Sequence, residues 1–153
     1  MDPNALIESI PNFSEGRRPE VVKEIVDAVS GVCGAKILDW SSDADHNRTV
    51  LTLVGCPQGI VDAIRALYTA VAKHIDLRNH QGEHPRMGAV DVVPFVPLRG
   101  CTMAECVELS KQVGQMIWDE FSVPVILYEE SASGEHRKDL AKVRKGQDRK
   151  SVV

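Results

Sequence analysis

The stretch GEHPRMGAVDVVPF, Gly82 to Phe95, concentrates groups capable of acid–base work. His84 stands between Glu83 and the pair Pro85–Arg86, in a segment bracketed by Gly82 and Gly88. An imidazole titrates near neutral pH, which is what proton abstraction requires. Glycine permits close approach of backbone to a ligand, and proline restricts the loop that carries the ring. Glu83 and Arg86 supply charges that can orient a base and an anion. The ordinary alternative is a structural loop histidine, and these residues alone leave the two readings balanced.

The same segment spells a metal pattern. His80, Glu83 and His84 read H-x-x-E-H, as in one class of zinc hydrolase. That pattern works only on a helix, where residues four apart share a face. Gly82 lies inside it and Pro85 follows at once, pushing His84 toward extended geometry. No metal is therefore expected.

Two further clusters can bind rather than react. The turn SDADHN, Ser42 to Asn47, leads into Arg48 at a strand start. A guanidinium fork suits a carboxylate, although a surface ion pair explains Arg48 equally well. Turn chemistry alone explains the Asp and Asn residues. In PNFSEG, Pro11 to Gly16, the residues Asn12, Ser14 and Glu15 fall between a first strand and a helix N-terminus, a place suited to an anion. A plain turn into a helix is the competing reading.

The elements that must position these residues follow from periodicity. Leu6 to Ile10 reads as a strand and Pro11 to Gly16 as a loop. A helix starts near Pro19, with Val22, Ile25, Val26 and Val29 on one face, and stops at Gly31 and Gly34. Ala35 to Trp40 and Arg48 to Gly55 read as a hairpin. Pro57 opens a second helix with Ile60, Ile64, Leu67, Val71 and Ile75 at helical spacing. Ala89 to Pro97 reads as a strand that Pro94 and Pro97 confine to an edge or an irregular end. Thr102 and Glu105 form a T-x-x-E capping box for a third helix through about Phe121. Val123 to Tyr128 reads as a fifth strand, and Arg137 to Lys145 as a short basic helix.

This order predicts an α/β (α+β) fold, a ferredoxin-like βαββαβ with an extra helix and strand, a mixed sheet and helices on one face. One domain over residues 1–146 is expected, with 147–153 as a disordered tail.

Composition narrows the function. The chain has 153 residues, 43% apolar and 26% charged, with a net charge of -4, so a nucleic-acid surface is not expected. No apolar run reaches membrane-spanning length, and no leading apolar segment is seen. Cys33, Cys56, Cys101 and Cys106 show no C-x-x-C spacing, which fits a reduced, cytoplasmic setting. Cys101 precedes a helix start, where a thiolate is favoured; a small buried hydrophobe is the ordinary role.

Together, PNFSEG, DHNRT and GEHPRMGAVDVVPFVP, followed by VPVILYEE, resemble the N-terminal subdomain of glutamate formiminotransferase, over roughly Leu6 to Gly146. The resemblance implies a folate-dependent one-carbon transferase of histidine degradation. It would move a formimino group from N-formimino-L-glutamate to tetrahydrofolate, the co-substrate. It implies two α/β subdomains whose sheets face each other across a substrate tunnel, and His84 as the general base. The substrate-binding candidates are then Asn12, Ser14, Glu15, Asp39, Asn47, Arg48, Glu83, Arg86 and Gly88. Mammalian-type members carry Asp-x-Asp at the end of strand two; here Asp39 matches the first and Ser41 replaces the second, with Asp43 or Asp45 as conceivable substitutes. The family's second subdomain is absent from these residues, so a homodimer or a complementary second-subdomain chain is expected. The alternative is a non-catalytic folate- or glutamate-binding, or partner-binding, module of the same fold.

Overall fold

The structure, a computed structural model, describes residues 1–75 and 89–127, together with the backbone of Ser151–Val152. Three helices carry the apolar spacing that the sequence predicts. In α1, Pro19–Ser30, the buried face is Val22, Ile25, Val26 and Val29, and Gly31 closes the helix. In α2, Pro57–His74, Ile60, Ile64, Leu67 and Val71 are buried, and the Cys56 sulfur caps the Gly59 amide at 3.4 Å. In α3, Met103–Phe121, the Thr102/Glu105 capping box is complete, and Ser122 ends the helix in the left-handed region at φ 55°.

The strands are β1, Leu6–Ser9; β2, Asn12–Phe13; β3, Ala35–Asp43; β4, Arg48–Gly55; β5, Val90–Val92; and β6, Phe95–Arg99. Both β1 and β2 pair with β4, while β6 pairs with β1 and β5 with β2. Each couple is one strand broken in the middle, so the sheet reads β3, β4, β1/β2, β6/β5. Asn12–Phe13, expected within a loop, belongs to the sheet. Pro11 has no amide hydrogen but still accepts from Leu51 N at 3.0 Å, which carries the ladder across the break. The second break is at Val93–Pro94, where the Ser9 hydroxyl donates to Pro94 O at 2.8 Å. The expected single strand over Ala89 to Pro97 is thus two, and Pro97 lies on an edge, where a missing donor is tolerated. β3 runs three residues beyond Trp40, so the turn shrinks.

Every pairing in this sheet is antiparallel; the parallel pair is separate, between β7, Val125–Ile126, and β8, Ser151–Val152. β7 is shorter than the expected Val123 to Tyr128. β8 falls within the segment 147–153. The basic helix expected at 137–145 lies outside the described residues.

Along β4 burial alternates: Thr49, Leu51, Leu53 and Gly55 are buried, and Arg48, Val50, Thr52 and Val54 are half-buried. Leu51 and Leu53 join Ile7, Ile25, Ile64 and Val113 in one core that draws on all three helices. The helices therefore share one face of the sheet, as in a ferredoxin-like α+β fold. Each fully buried Leu or Ile contributes about 1.5–3 kcal/mol to holding it there. The other face carries no helix among the described residues.

Candidate functional site

The open face is where the candidates meet, and a bulge decides which. Lys36 pairs with Val54 and Ile37 with Leu53; the register then steps past Leu38, so that Asp39 pairs with Thr52. Strict alternation from Ile37 would aim Asp39 at the helices. The bulge instead sends Asp39, Ser41 and Asp43 to the open face, beside Thr52, Val50 and Arg48. On the next strand Asn12 pairs with Val50. Arg48 is two residues from Val50 on the same face, which makes it the diagonal neighbour of Asn12, at roughly 7–8 Å between Cα atoms.

Asn12 and Arg48 share a second property. Asn12 Oδ1 and Arg48 Nε are buried without a hydrogen-bond partner among the described residues. A buried polar atom left unpaired costs about 1–3 kcal/mol, so most folds satisfy it. An acceptor and a donor thus stand side by side, dehydrated and unspent, on one face. Asp43, across from Arg48, is already engaged: its carboxylate accepts from His46 Nδ1 and from the amides of Asp45 and His46. The bonds from His46 hold the Asp43 carboxyl below its ordinary pKa.

The remaining PNFSEG and hairpin residues build the frame. Asn47 adopts φ 51° and its Oδ1 accepts the Gly16 amide at 2.8 Å. A Cβ on Gly16 would fall 2.5 Å from Asp43 O and 2.6 Å from Arg48 N, so only glycine fits. Thr49 Oγ1 donates to Glu15 O at 2.5 Å, which leaves Ser42 as the donor in its 2.8 Å bond to Thr49. Glu15 accepts from the amides of Arg17 and Arg18 at 3.0 and 3.1 Å and from Arg18 Nε at 2.6 Å. Burial alone would raise the Glu15 pKa, but these bonds and the Arg18 charge outweigh it and lower it. The anion-holding role expected of Glu15 at the α1 N-terminus is therefore turned inward: its own carboxylate occupies that position. Ser14 is buried, and its amide donates to Ala89 O at 2.8 Å, fixing the residue that follows the 76–88 segment.

His84, Glu83, Arg86 and Gly88 lie outside the described residues, as does His80 of the H-x-x-E-H pattern. Among the described residues no group of three or more His, Cys, Asp or Glu is placed to hold a metal ion. A groove of about 590 Å³ between α1 and α2, lined by Glu24, Ala28, Arg65 and His74 among others, contains none of the candidates.

Residues 6–151 match the family described as formiminotransferase domain, N-terminal subdomain. The chain belongs to that family. Among its relatives, a glutamate formimidoyltransferase from Streptococcus pyogenes is 51% identical over 93% of this chain and 48% of its own length. One from Thermoplasma acidophilum is 46% identical over 92% of this chain and 46% of its own length. The formimidoyltransferase-cyclodeaminase of Rattus norvegicus is 44% identical over 93% of this chain but only 26% of its own. The chain thus spans about half the length of the first group and about a quarter of the second.

In this formiminotransferase subdomain, then, the open face presents an unspent acceptor at Asn12, an unspent donor at Arg48, and the carboxylate of Asp39. These are groups able to hydrogen-bond a polar small molecule. Among the described residues no helix is long and apolar enough to cross a membrane. The pairing of Asp43 with His46 was not foreseen from the sequence. Its signal was present in D-x-x-H across a tight turn, where an Asp side chain folds back on the next residues.

Proposed function

We propose that this chain is the His84-bearing part of a folate-dependent glutamate formimidoyltransferase. In this reading it moves a formimino group from N-formimino-L-glutamate to tetrahydrofolate. The observation that carries the reading is the pair of dehydrated, unpartnered atoms Asn12 Oδ1 and Arg48 Nε on the open face. The names of the relatives support the reaction class. Arg48 binds a carboxylate through its guanidinium, and Asn12 Oδ1 accepts an N–H from the amidine of the donor. Asp39 faces the same surface and can take a second N–H. His84 accepts the proton that the attacking folate nitrogen loses as its bond to the formimino carbon forms. The carbon–nitrogen bond to glutamate then breaks, and His84 returns the proton to the departing amine. Asp43 is held by His46, so it does not replace the acidic partner that Ser41 lacks.

Calorimetric titration of the purified chain with formiminoglutamate and with tetrahydrofolate tests the binding half. Arg48→Lys, which keeps the charge and loses the fork, should weaken one of them by about 1–3 kcal/mol. Unchanged binding of both would remove Arg48 from the site. In a turnover-competent assembly, His84→Ala should lower transfer by about 10²-fold or more while leaving stability within about 1 kcal/mol. Full activity in that variant would dismiss the base. Binding without turnover in every assembly would instead make this fold a binding module.

A further inference from the structure

The start of α3 holds two thiols that the site does not use. Thr102 is the N-cap of α3, which makes Cys101 the residue before the cap and Cys106 the fourth helical residue. Side chains at those two positions pack against each other across the first turn and set the angle at which the chain joins the helix. A pair of apolar residues is the usual choice; here both are cysteines. Cys106 is buried in the core at 2% exposure, and Cys101 is half-buried and packed against that same core. The Cys101 thiol donates to Leu6 O, with the sulfur 3.7 Å from the oxygen.

We propose that Cys101 and Cys106 form a reversible intrachain disulfide when hydrogen peroxide reaches Cys101. The roles follow from exposure and charge. Cys101 is the thiol that solvent reaches, so it is the one that meets the peroxide first. Burial first, and then the neighbouring Cys101, push the Cys106 thiol up to about 11, so it stays protonated and resolves rather than initiates. Cys101 sulfur attacks one peroxide oxygen; the O–O bond breaks, and a sulfenic acid and water result. Cys106 sulfur then attacks Cys101 sulfur, its proton leaves with the displaced hydroxide as a second water, and the S–S bond forms. Two thiols are oxidised by two electrons and one peroxide is reduced to two waters. Low-molecular-weight thiols reverse the step by exchange. The bridge would clamp the first turn of α3 to the end of β6 at the sheet end remote from Asn12 and Arg48, so it does not depend on the proposed reaction.

One tryptic peptide, residues 100–111, contains both cysteines and neither of the others. The chain carrying Cys33→Ser and Cys56→Ser is treated with one equivalent of hydrogen peroxide, alkylated, digested and weighed. The peptide should lose two hydrogens and take up no alkyl group, and dithiothreitol should restore two alkylation sites. Cys106→Ser should leave a sulfenic acid on Cys101 that dimedone traps. Cys101→Ala should leave Cys106 unoxidised while the chain is folded, which keeps the test decisive if the first variant does not fold. Two alkylated cysteines after peroxide, or bridges found only between chains, would overturn the proposal.

Discussion

Asn47 Oδ1 accepts the amide hydrogen of Gly16 at 2.8 Å, tying the β3–β4 turn to the loop that leads into α1. This bond joins the strand ends that carry Asn12 and Arg48, so the geometry of the open face depends on it. Gly16→Ala would drive a methyl group into backbone atoms that cannot rotate away. We expect a loss of about 1–3 kcal/mol of stability, the usual range for overpacking. Asn47→Ala should cost about 1–2 kcal/mol, because it removes the bond and leaves a non-glycine residue at positive φ. Asn47→Gly keeps the backbone conformation and should cost less. Urea denaturation of the three variants checks the order; an Asn47→Gly as damaging as Asn47→Ala would show that φ is not what matters.

Glu15 gives a pH signature. Its folded pKa lies below its ordinary value of 4.5. The carboxylate therefore adds stability that is fully present above the unfolded pKa and disappears as pH falls through the folded one. Glu15→Gln should be less stable than the parent by about 1–3 kcal/mol at neutral pH. The two denaturation curves should converge below pH 4.5, once Glu15 is protonated in both states of the parent. A gap that persists unchanged in acid would mean that shape and not charge matters at this position.

Unpaired buried atoms predict gains as well as losses. Tyr68 is packed on Phe121 at 5.6 Å between ring centres, and its buried hydroxyl has no hydrogen-bond partner among the described residues. Tyr68→Phe should be neutral or stabilising by up to about 1 kcal/mol, since only a desolvated hydroxyl is lost. Asn12→Leu keeps the side-chain shape and removes the unpaired Oδ1, so thermal stability should hold or rise. Ligand binding should weaken at the same time. Stability falling by more than about 1 kcal/mol in either variant would show that the atom has a partner after all.

The open face predicts association. Val50 and Val54 on β4 are half-buried, and Val96 and Leu98 on β6 are exposed at 37% and 48%. Contiguous apolar patches above roughly a few hundred Å² are uncommon on monomers. Sedimentation at micromolar concentration should show a dimer or larger species, and Val54→Lys with Val96→Lys should shift it toward monomer. A wild-type monomer that does not aggregate would mean that other residues of the chain cover this face.

Much of this molecule was legible in the sequence because local spacing carries it. Helix periodicity placed Val22, Ile25, Val26 and Val29 on one face, and the Thr102/Glu105 pair marked a helix start within one turn. Three short blocks, PNFSEG, DHNRT and GEHPRMGA, sufficed for the family. What the sequence could not supply was register. The bulge at Leu38 is a mismatch between two strands, and it alone sends Asp39 to the open face instead of the core. The breaks at Ile10–Pro11 and Val93–Pro94 were misread in opposite senses: pairing resumes beyond Pro11 where a loop was expected, and it is interrupted at Pro94 where one strand was expected, because only the partner strand shows what a proline does to a ladder. The inward use of Glu15 and Asn47 likewise depends on Arg18 and Gly16 being brought close, the latter across 31 residues. Sequence alone thus determined which elements form and which residue types are on offer. Tertiary pairing decided which polar groups the fold consumes and which it leaves buried and without a partner among the described residues on the open face, Asn12 Oδ1 and Arg48 Nε, because only register and burial set a side chain's partners.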